Sequence, residues 1–406
     1  MRLIKLLFLF LFIVCSNAVH AQTVLDYTNS GVAKFNIRDY KGAIEDYSKV
    51  IELDPKNINA YYNRGLMKYY LNDADAIPDF NKVVELDPKY TDAYFNRGLV
   101  KSRIKDYKGA IEDWNKTLEL TPKDANIYSN RGRAKHYLMN DTGAIEDYNK
   151  AIELDPKNSD AFYNRGLSKK DISDNFGANQ DFDKAIEFDP KNPNAYYNGG
   201  LVKYLVNDYR GAIQNYIKAI DLDPKNSLAY YNRGLAKKDL KDFTGAIEDW
   251  NKAIELKPQD AASYSYRGSA KLYLKDYIGA IEDYNKAIEL DPKNAEIFNN
   301  RGLAKKDFFD NTGPVADYNK AIELDPKNAL AYNNRALAKK DMKDYTAAIE
   351  DYNKAIELDP QLTIAYYNRA LAKILNGDKI NGCIDLNRAK ELGSTDAIDG
   401  IKKYCQ

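Results

Sequence analysis

A proline recurs every 34 residues along most of this chain, at Pro88, Pro122, Pro156, Pro190, Pro224, Pro258, Pro292, Pro326 and Pro360. Self-similarity at one fixed period means a stack of identical supersecondary units, each too small to bury its apolar face alone. Eleven copies run from Val24 to about Gly393. The first interval, Pro55 to Pro88, is 33 residues because Asn72-Asp73-Ala74-Asp75-Ala76 lacks one residue present in Lys105 to Ala110. That loss falls in a turn, where length changes are best tolerated.

Each copy predicts two helices. In the copy from Ala329 to Leu362, Asn328 is placed to cap a first helix containing Ala331 to Lys340, a run without Gly or Pro. Asp344 is placed to cap a second through Ala347 to Leu358, and Pro360 disfavours helical geometry at Asp359, so the helix stops there. Two copies carry a further proline near the start of the second helix, Pro78 and Pro314. In a first turn such a residue loses no needed hydrogen bond, so local adjustment without a break is expected.

With Ala329 as position 1, this copy has an aromatic at position 4 (Tyr332), a small residue at 8 (Ala336), alanine at 20 and 27 (Ala348, Ala355), an aromatic at 24 (Tyr352) and proline at 32 (Pro360). The pattern resembles the tetratricopeptide repeat (TPR) family over nearly the whole chain beyond its first two dozen residues. The resemblance implies an all-α fold, a right-handed α-α superhelix, closed here by a C-terminal capping helix over 394–406. The chain departs from the family pattern at positions 7 and 11, where Arg and Lys replace the usual apolar or aromatic residues. This alters packing detail and leaves the fold expectation intact.

The first 21 residues are of another kind. Arg2 and Lys5 precede the apolar run Leu6 to Cys15, and Val19-His20-Ala21 offers a small-residue cleavage site before Gln22, the pattern of a secretory signal peptide. A run of about ten apolar residues is short of the ~20 that span a bilayer. A lipoprotein signal at Cys15 fits less well, because Val14 stands where such signals carry a small residue. Export to the periplasm or medium, with cleavage near Ala21, is the expectation.

The chain has 60 basic and 60 acidic residues, and removal of Arg2 and Lys5 leaves 58 against 60, a formal charge of −2. A nucleic-acid footprint would need a basic excess on one face. Beyond the signal, no apolar run reaches membrane length. After cleavage His136 is the remaining histidine, so neither a histidine pair for a metal nor a well-supplied catalytic triad is on offer. It occupies a position that is Lys or Tyr in most copies, and an exposed replacement is expected. No G-x-x-x-x-G-K-[ST] or G-x-S-x-G motif occurs. Neither enzyme activity nor a cofactor is expected.

At 100° per residue, positions 4, 7, 8 and 11 of the first helix lie on one side and positions 2, 6, 9 and 13 on the other. In the family this second face lines the concave groove. Position 6 is Asn29, Asn63, Asn96, Asn130, Asn164, Asn198, Asn232, Asn300, Asn334 and Asn368, with Tyr266 the exception. Asparagine is not favoured inside a helix, and positions 12, 13 and 18 have diverged freely across the same copies. An amide in each repeat offers a donor and an acceptor suited to an extended peptide backbone, and resembles the asparagine ladder of TPR superhelices. The alternative is that each Asn bonds a neighbouring helix and sets repeat geometry. Beside the ladder stand Tyr62, Phe95, Tyr163, Tyr197, Tyr231 and Tyr367 at position 5, aromatic bodies with mostly polar tips that suit an interface. The mostly leucine position 9, such as Leu235 and Leu303, is expected to pack between adjacent first helices.

Arg recurs at position 7 in nine copies and Asp at position 23 in ten; the copy with Asn215 in place of the Asp also has Gly199 in place of the Arg. That joint loss suggests a bridge within each repeat, whereas Ser30, which lacks the Arg while Asp46 is kept, fits pairing with the Asp of the preceding repeat. Lys at position 11 of every copy, for example Lys237, is expected to lay its stem over apolar surface with its charge at the edge. At the end of the chain, Gly393 and Ser394 predict a turn into a final helix from Ala397 to Tyr404. Ten residues separate Cys383 from Gly393 and twelve separate Gly393 from Cys405, which places the two cysteines at similar heights on antiparallel helices and predicts a disulfide. The function expected is a scaffold that binds protein or peptide, the alternatives being a passive spacer or oligomer component, or a glycan binder.

Overall fold

The computed structural model describes residues 21–308 and 313–405, so the signal-like segment lies outside it up to residue 20. The fold is an all-α solenoid of helical hairpins. First helices of the repeats are α1 (21–36), α3 (Ile58–Tyr70), α5 (Thr91–Arg103), α7 (Ala125–Tyr137), α9 (Ser159–Asp171), α11 (Pro193–Leu205), α13 (Ser227–Asp239), α15 (Ala261–Tyr273), α17 (Ala295–Asp307), α19 (Ala329–Asp341) and α21 (Thr363–Leu375). Second helices are α2 (Tyr40–Leu53), α4 (Ala76–Leu86), α6 (Tyr107–Leu120), α8 (Asp141–Leu154), α10 (Asn175–Phe188), α12 (Tyr209–Leu222), α14 (Phe243–Leu256), α16 (Tyr277–Leu290), α18 (Gly313–Leu324), α20 (Tyr345–Leu358) and α22 (Lys379–Glu391), with α23 (Thr395–Tyr404) as the cap. The chain divides into two compact units, Met1–Val202 and Lys203–Gln406.

One aspartate organises the turn inside each hairpin. In the third repeat Lys105 sits in the left-handed region at φ 66°, and two bonds close α5: Lys105 N–H to the Ser102 carbonyl at 3.0 Å and Asp106 N–H to the Lys101 carbonyl at 2.8 Å. This is the Schellman arrangement. The Asp106 carboxylate then accepts from Gly109 N–H at 3.0 Å and opens α6. The same left-handed residue recurs as Arg38, Asn72, Met139, Ser173, Asn207, Lys241, Lys275 and Lys343, and glycine takes it at Gly377. Between repeats an Asx turn does the work: Asp155 accepts from Lys157 N–H at 3.2 Å, and Asn158 caps α9 through Ala161 N–H at 2.9 Å. Asn328 and Asp344 cap α19 and α20 as their positions predict, at 3.0 and 3.1 Å. Pro78 stands in the first turn of α4, which runs on unbroken for 11 residues against 14 in most other second helices, and from Pro314 the described part of α18 runs unbroken to Leu324.

The core is made by three buried residues of each second helix, such as Ala246, Trp250 and Ala253, packed against small residues of the first. An aromatic at position 24 fills the space opposite a glycine at position 8. A Cβ on Gly98 would lie 2.6 Å from Trp114 Nε1, and one on Gly302 would lie 2.7 Å from Tyr318 Cε1. The indole N–H of both Trp114 and Trp250 donates 3.3 Å to a first-helix carbonyl, those of Phe95 and Tyr231. Three tyrosines in this place are less well served. The hydroxyls of Tyr148, Tyr318 and Tyr352 are buried without a hydrogen-bond partner among the described residues, and burial pushes their pKa values up. Phenylalanine serves the same position at Phe80 and Phe182. Tyr352→Phe should therefore stabilise the chain by about 1 kcal/mol, by relieving an unsatisfied buried hydroxyl; a urea midpoint lower than wild type would contradict this.

At the C-terminus, Cys383 on α22 and Cys405 after α23 are joined by a disulfide, Sγ–Sγ 2.01 Å and Cα–Cα 5.8 Å. The cap α23 lays Ala397 and Ile401 on Ala370, Leu386 and Ala389. None of the described helices is long and apolar enough to cross a membrane.

Candidate functional site

Arg at position 7 pairs with the Asp of its own repeat. Nine such pairs, from Arg64–Asp79 to Arg369–Asp385, hold Nη2 to Oδ1 at 2.5–2.7 Å. Lys at position 11 lies one turn further along the same helix face and reaches the other carboxylate oxygen at 2.7–2.9 Å, as in Lys101–Asp113 and Lys237–Asp249. Its charge is thus on a buried aspartate and not at the edge of the hairpin. In the first repeat Lys34 holds Asp46 at 2.8 Å, which accounts for an Asp kept beside Ser30.

The arginine also reaches the preceding repeat, through a neutral side chain. Its Nη1 donates to Asn81, Asn115, Asn149, Asn251, Asn285, Asn319 or Asn353, the residue two places after that repeat's Asp, at 2.6–2.8 Å. Its guanidinium lies 5.3–5.6 Å from the ring of the position 4 aromatic. These groups are fully engaged in holding helices together and offer nothing to a ligand.

The ladder face differs. Asn96, Asn130, Asn164 and Asn198 each donate from Nδ2 to the carbonyl four residues back, at 2.7–3.0 Å. A carbonyl oxygen can only accept, so the NH2 end is the one turned inward. Asn96 and Asn198 also donate to the position 5 tyrosine of the preceding repeat, Tyr62 at 3.1 Å and Tyr163 at 3.2 Å. In the second unit Asn334 donates to Asn299 Oδ1 at 3.0 Å, Asn299 standing where those repeats have tyrosine. The Oδ1 atoms of Asn96, Asn164 and Asn198 accept no hydrogen bond from any described residue. The donor half of the amide therefore ties Asn96, Asn130, Asn164 and Asn198 to their own helices, and Asn96 and Asn198 also to the preceding repeat, while the acceptor half remains available at Asn96, Asn164 and Asn198.

Not every rung is equivalent. Asn29 is exposed, Asn63 and Asn300 are half-buried, Asn232 has a partner of its own, and Asn368 is buried at 7% exposure, which withdraws it from an open face. The aromatic stripe is partly core. Tyr62 lies 5.0 Å from the Tyr90 ring and 6.1 Å from Phe80, and its burial pushes the hydroxyl pKa up to about 12. Phe95, Tyr231 and Tyr367 pack against the clusters around Trp114, Trp250 and Leu386, and Tyr197 is half-buried.

A break in that stripe is not singled out by sequence reasoning. Position 5 of the fourth repeat is Ser129, and a cavity of about 420 Å³ opens there between α7, α9 and the start of α11. His136, expected as an exposed replacement, is instead part of an inter-helix cluster: Nδ1 lies 2.6 Å from Asp141 and 3.2 Å from Ser168, and Nε2 lies 4.0 Å from Asp171. His136, Asp141 and Asp171 bring one possible ligand atom each to within 4.8 Å of one another, with Nδ1 of the imidazole already bonded to Asp141.

Two models of the TPR family match the chain, one described as TPR repeat over residues 38–71, 140–171, 200–241 and 268–307, and one as tetratricopeptide repeat over 227–260 and 329–362. The chain belongs to the tetratricopeptide repeat family. Among solved structures it is similar to the C-terminal part of a TPR repeat-containing protein from Cytophaga hutchinsonii, with 20% identity, TM-score 0.52, 59% of this chain and 98% of that one covered. It is also similar to a tetratricopeptide repeat protein from Parabacteroides merdae, with 20% identity, TM-score 0.50, 61% of this chain and 96% of that one covered. Both likenesses concern the fold. Among curated proteins, none matches the chain.

Proposed function

We propose that this chain is an exported, non-catalytic scaffold that holds a protein partner or an extended peptide on its asparagine face, in the periplasm or outside the cell. The observation that carries the reading is the row of outward Oδ1 acceptors at Asn96, Asn164 and Asn198, pre-positioned because the NH2 end of each amide is tied to its own helix. Fixed acceptors receive a peptide N–H without first losing rotamer freedom, which lowers the ordering cost of binding. Half-buried tyrosines beside them supply apolar area. The basic n-region and short apolar run before Gln22 support export, as does a cysteine pair suited to an oxidising compartment.

The test is selection of binders from a displayed random-peptide library on the protein lacking residues 1–21, followed by affinity measurement on a variant with Asn96, Asn164 and Asn198 changed to Ala. Loss of three acceptors should weaken the selected peptides at least ~30-fold, at about 1 kcal/mol for each hydrogen bond, with the helical circular dichroism unchanged. Equal affinity in the variant, or no peptide selected by wild type, would move the passive-spacer reading ahead.

A further inference from the structure

We propose that the cavity at Ser129 binds a sugar acid, a small hydroxylated ring bearing one carboxylate. This site overlaps the asparagine face at Asn130, Tyr163 and Asn164 but needs no partner protein. It begins with a vacancy in a repeated pattern: position 5 is aromatic at Tyr62, Phe95, Tyr163 and Tyr197 but serine at Ser129. A comparable vacancy at Ser265 is filled by the neighbouring Tyr266, whose ring packs 5.9 Å from both Tyr231 and Trp250. Position 6 beside Ser129 is Asn130, and nothing fills the space.

The chemistry of the lining selects the ligand. The Ser129 hydroxyl oxygen is buried and has no hydrogen-bond partner among the described residues, an orphan that native proteins rarely leave unexplained. Around it stand six asparagines, Arg133, Asp160 and Tyr163, with no aliphatic side chain among the lining residues. An apolar ligand gains nothing there. Arg133 is the one cation at a position that is leucine in eight copies. Its guanidinium donates to Asn130 Oδ1 at 2.8 Å and forms no ion pair with a described residue, so it is oriented by an amide and left with a free charge. One guanidinium suits one carboxylate; with Asp160 in the same lining, a polyphosphate would be repelled. Asp160 and the amides instead match hydroxyl groups, which donate and accept at once. Tyr163 is half-buried, its hydroxyl accepting from Asn198 at 3.2 Å, which holds an aromatic ring at the cavity wall for the apolar face of a sugar. The volume, about 420 Å³, falls within the range of small-ligand sites.

The test titrates the protein lacking residues 1–21 with a galacturonic acid disaccharide and with the neutral galactose disaccharide, by calorimetry and by amide NMR shifts. The acidic disaccharide should bind about tenfold to hundredfold more tightly than the neutral one, the worth of a charged hydrogen bond to Arg133. Ser129→Tyr restores the residue used in neighbouring copies, so the fold is kept while the cavity is filled, and binding of both should vanish. Arg133→Leu restores the usual residue and should bring the acidic ligand down to the affinity of the neutral one. The proposal is overturned if neither disaccharide shifts resonances of Ser129 and its neighbours, if Ser129→Tyr binds as wild type does, or if Arg133→Leu keeps the acid preference. It is equally overturned if an extended glutamate-containing peptide occupies the cavity while both disaccharides fail to.

Discussion

Asp249→Ala lowers the stability of the seventh repeat by about 3 kcal/mol, the low end of what breaking a buried ion pair costs. The carboxylate is 3% exposed and accepts from Arg233 at 2.5–3.1 Å and from Lys237 at 2.9 Å. Its loss strands two cations, but each keeps 17–19% of its side chain exposed and so a route to water, which sets the effect at the low end. Because repeat stability is a local quantity, hydrogen exchange of α13 and α14 is the measurement to make, and a change under 1 kcal/mol there would sink the estimate. The sixth repeat carries a natural version of the experiment, with Asn215 and Gly199 in place of the two partners. Pairing Asp249→Asn with Arg233→Leu should accordingly cost less than the sum of the single changes.

Trp114→Ala is expected to be the most damaging single change in the first unit, about 4 kcal/mol. The indole is fully buried, donates to the Phe95 carbonyl and fills the space beside Gly98. Trp114→Phe should cost far less, because phenylalanine serves the same position at Phe80 and Phe182 and leaves no orphaned donor on the side chain. Urea unfolding of both variants checks this; equal losses would mean that the aromatic volume matters less than the contact with glycine suggests.

The hairpins and most of their caps and stop points are legible in the sequence, because a local signal repeated many times over is read as often. Asn328, Asp344 and Pro360 each act within a few residues of where they stand. What escapes is longer in range. Two pairings were open for the position 7 arginine, and composition could not choose, since Ser30 and Gly199 point in opposite directions. In three dimensions the guanidinium pairs with the Asp of its own repeat through Nε and Nη2, and reaches the repeat before through Nη1 to an Asn and not to that repeat's Asp. Lys at position 11 is misjudged for want of one step, that positions 7 and 11 are one turn apart and so reach one carboxylate. The ladder's face is legible from period alone, but the direction in which each amide turns depends on the carbonyl four residues back. The cavity at Ser129 is visible in sequence only as a missing aromatic, and a missing residue carries no chemistry until its neighbours are placed.

The arginine strap has a consequence for how such a chain grows. Both halves of the junction, the asparagine that receives and the arginine that reaches back, travel on one 34-residue block, and the charge on that arginine is neutralised inside the block. Where the arginine crosses the seam it ends on a neutral amide and not on a carboxylate. A gene segment of one period can therefore be copied or deleted in frame and the protein closes up again, with no orphaned charge at the splice. At Ile217, which stands where a receiving asparagine would be, the seam lacks this acceptor.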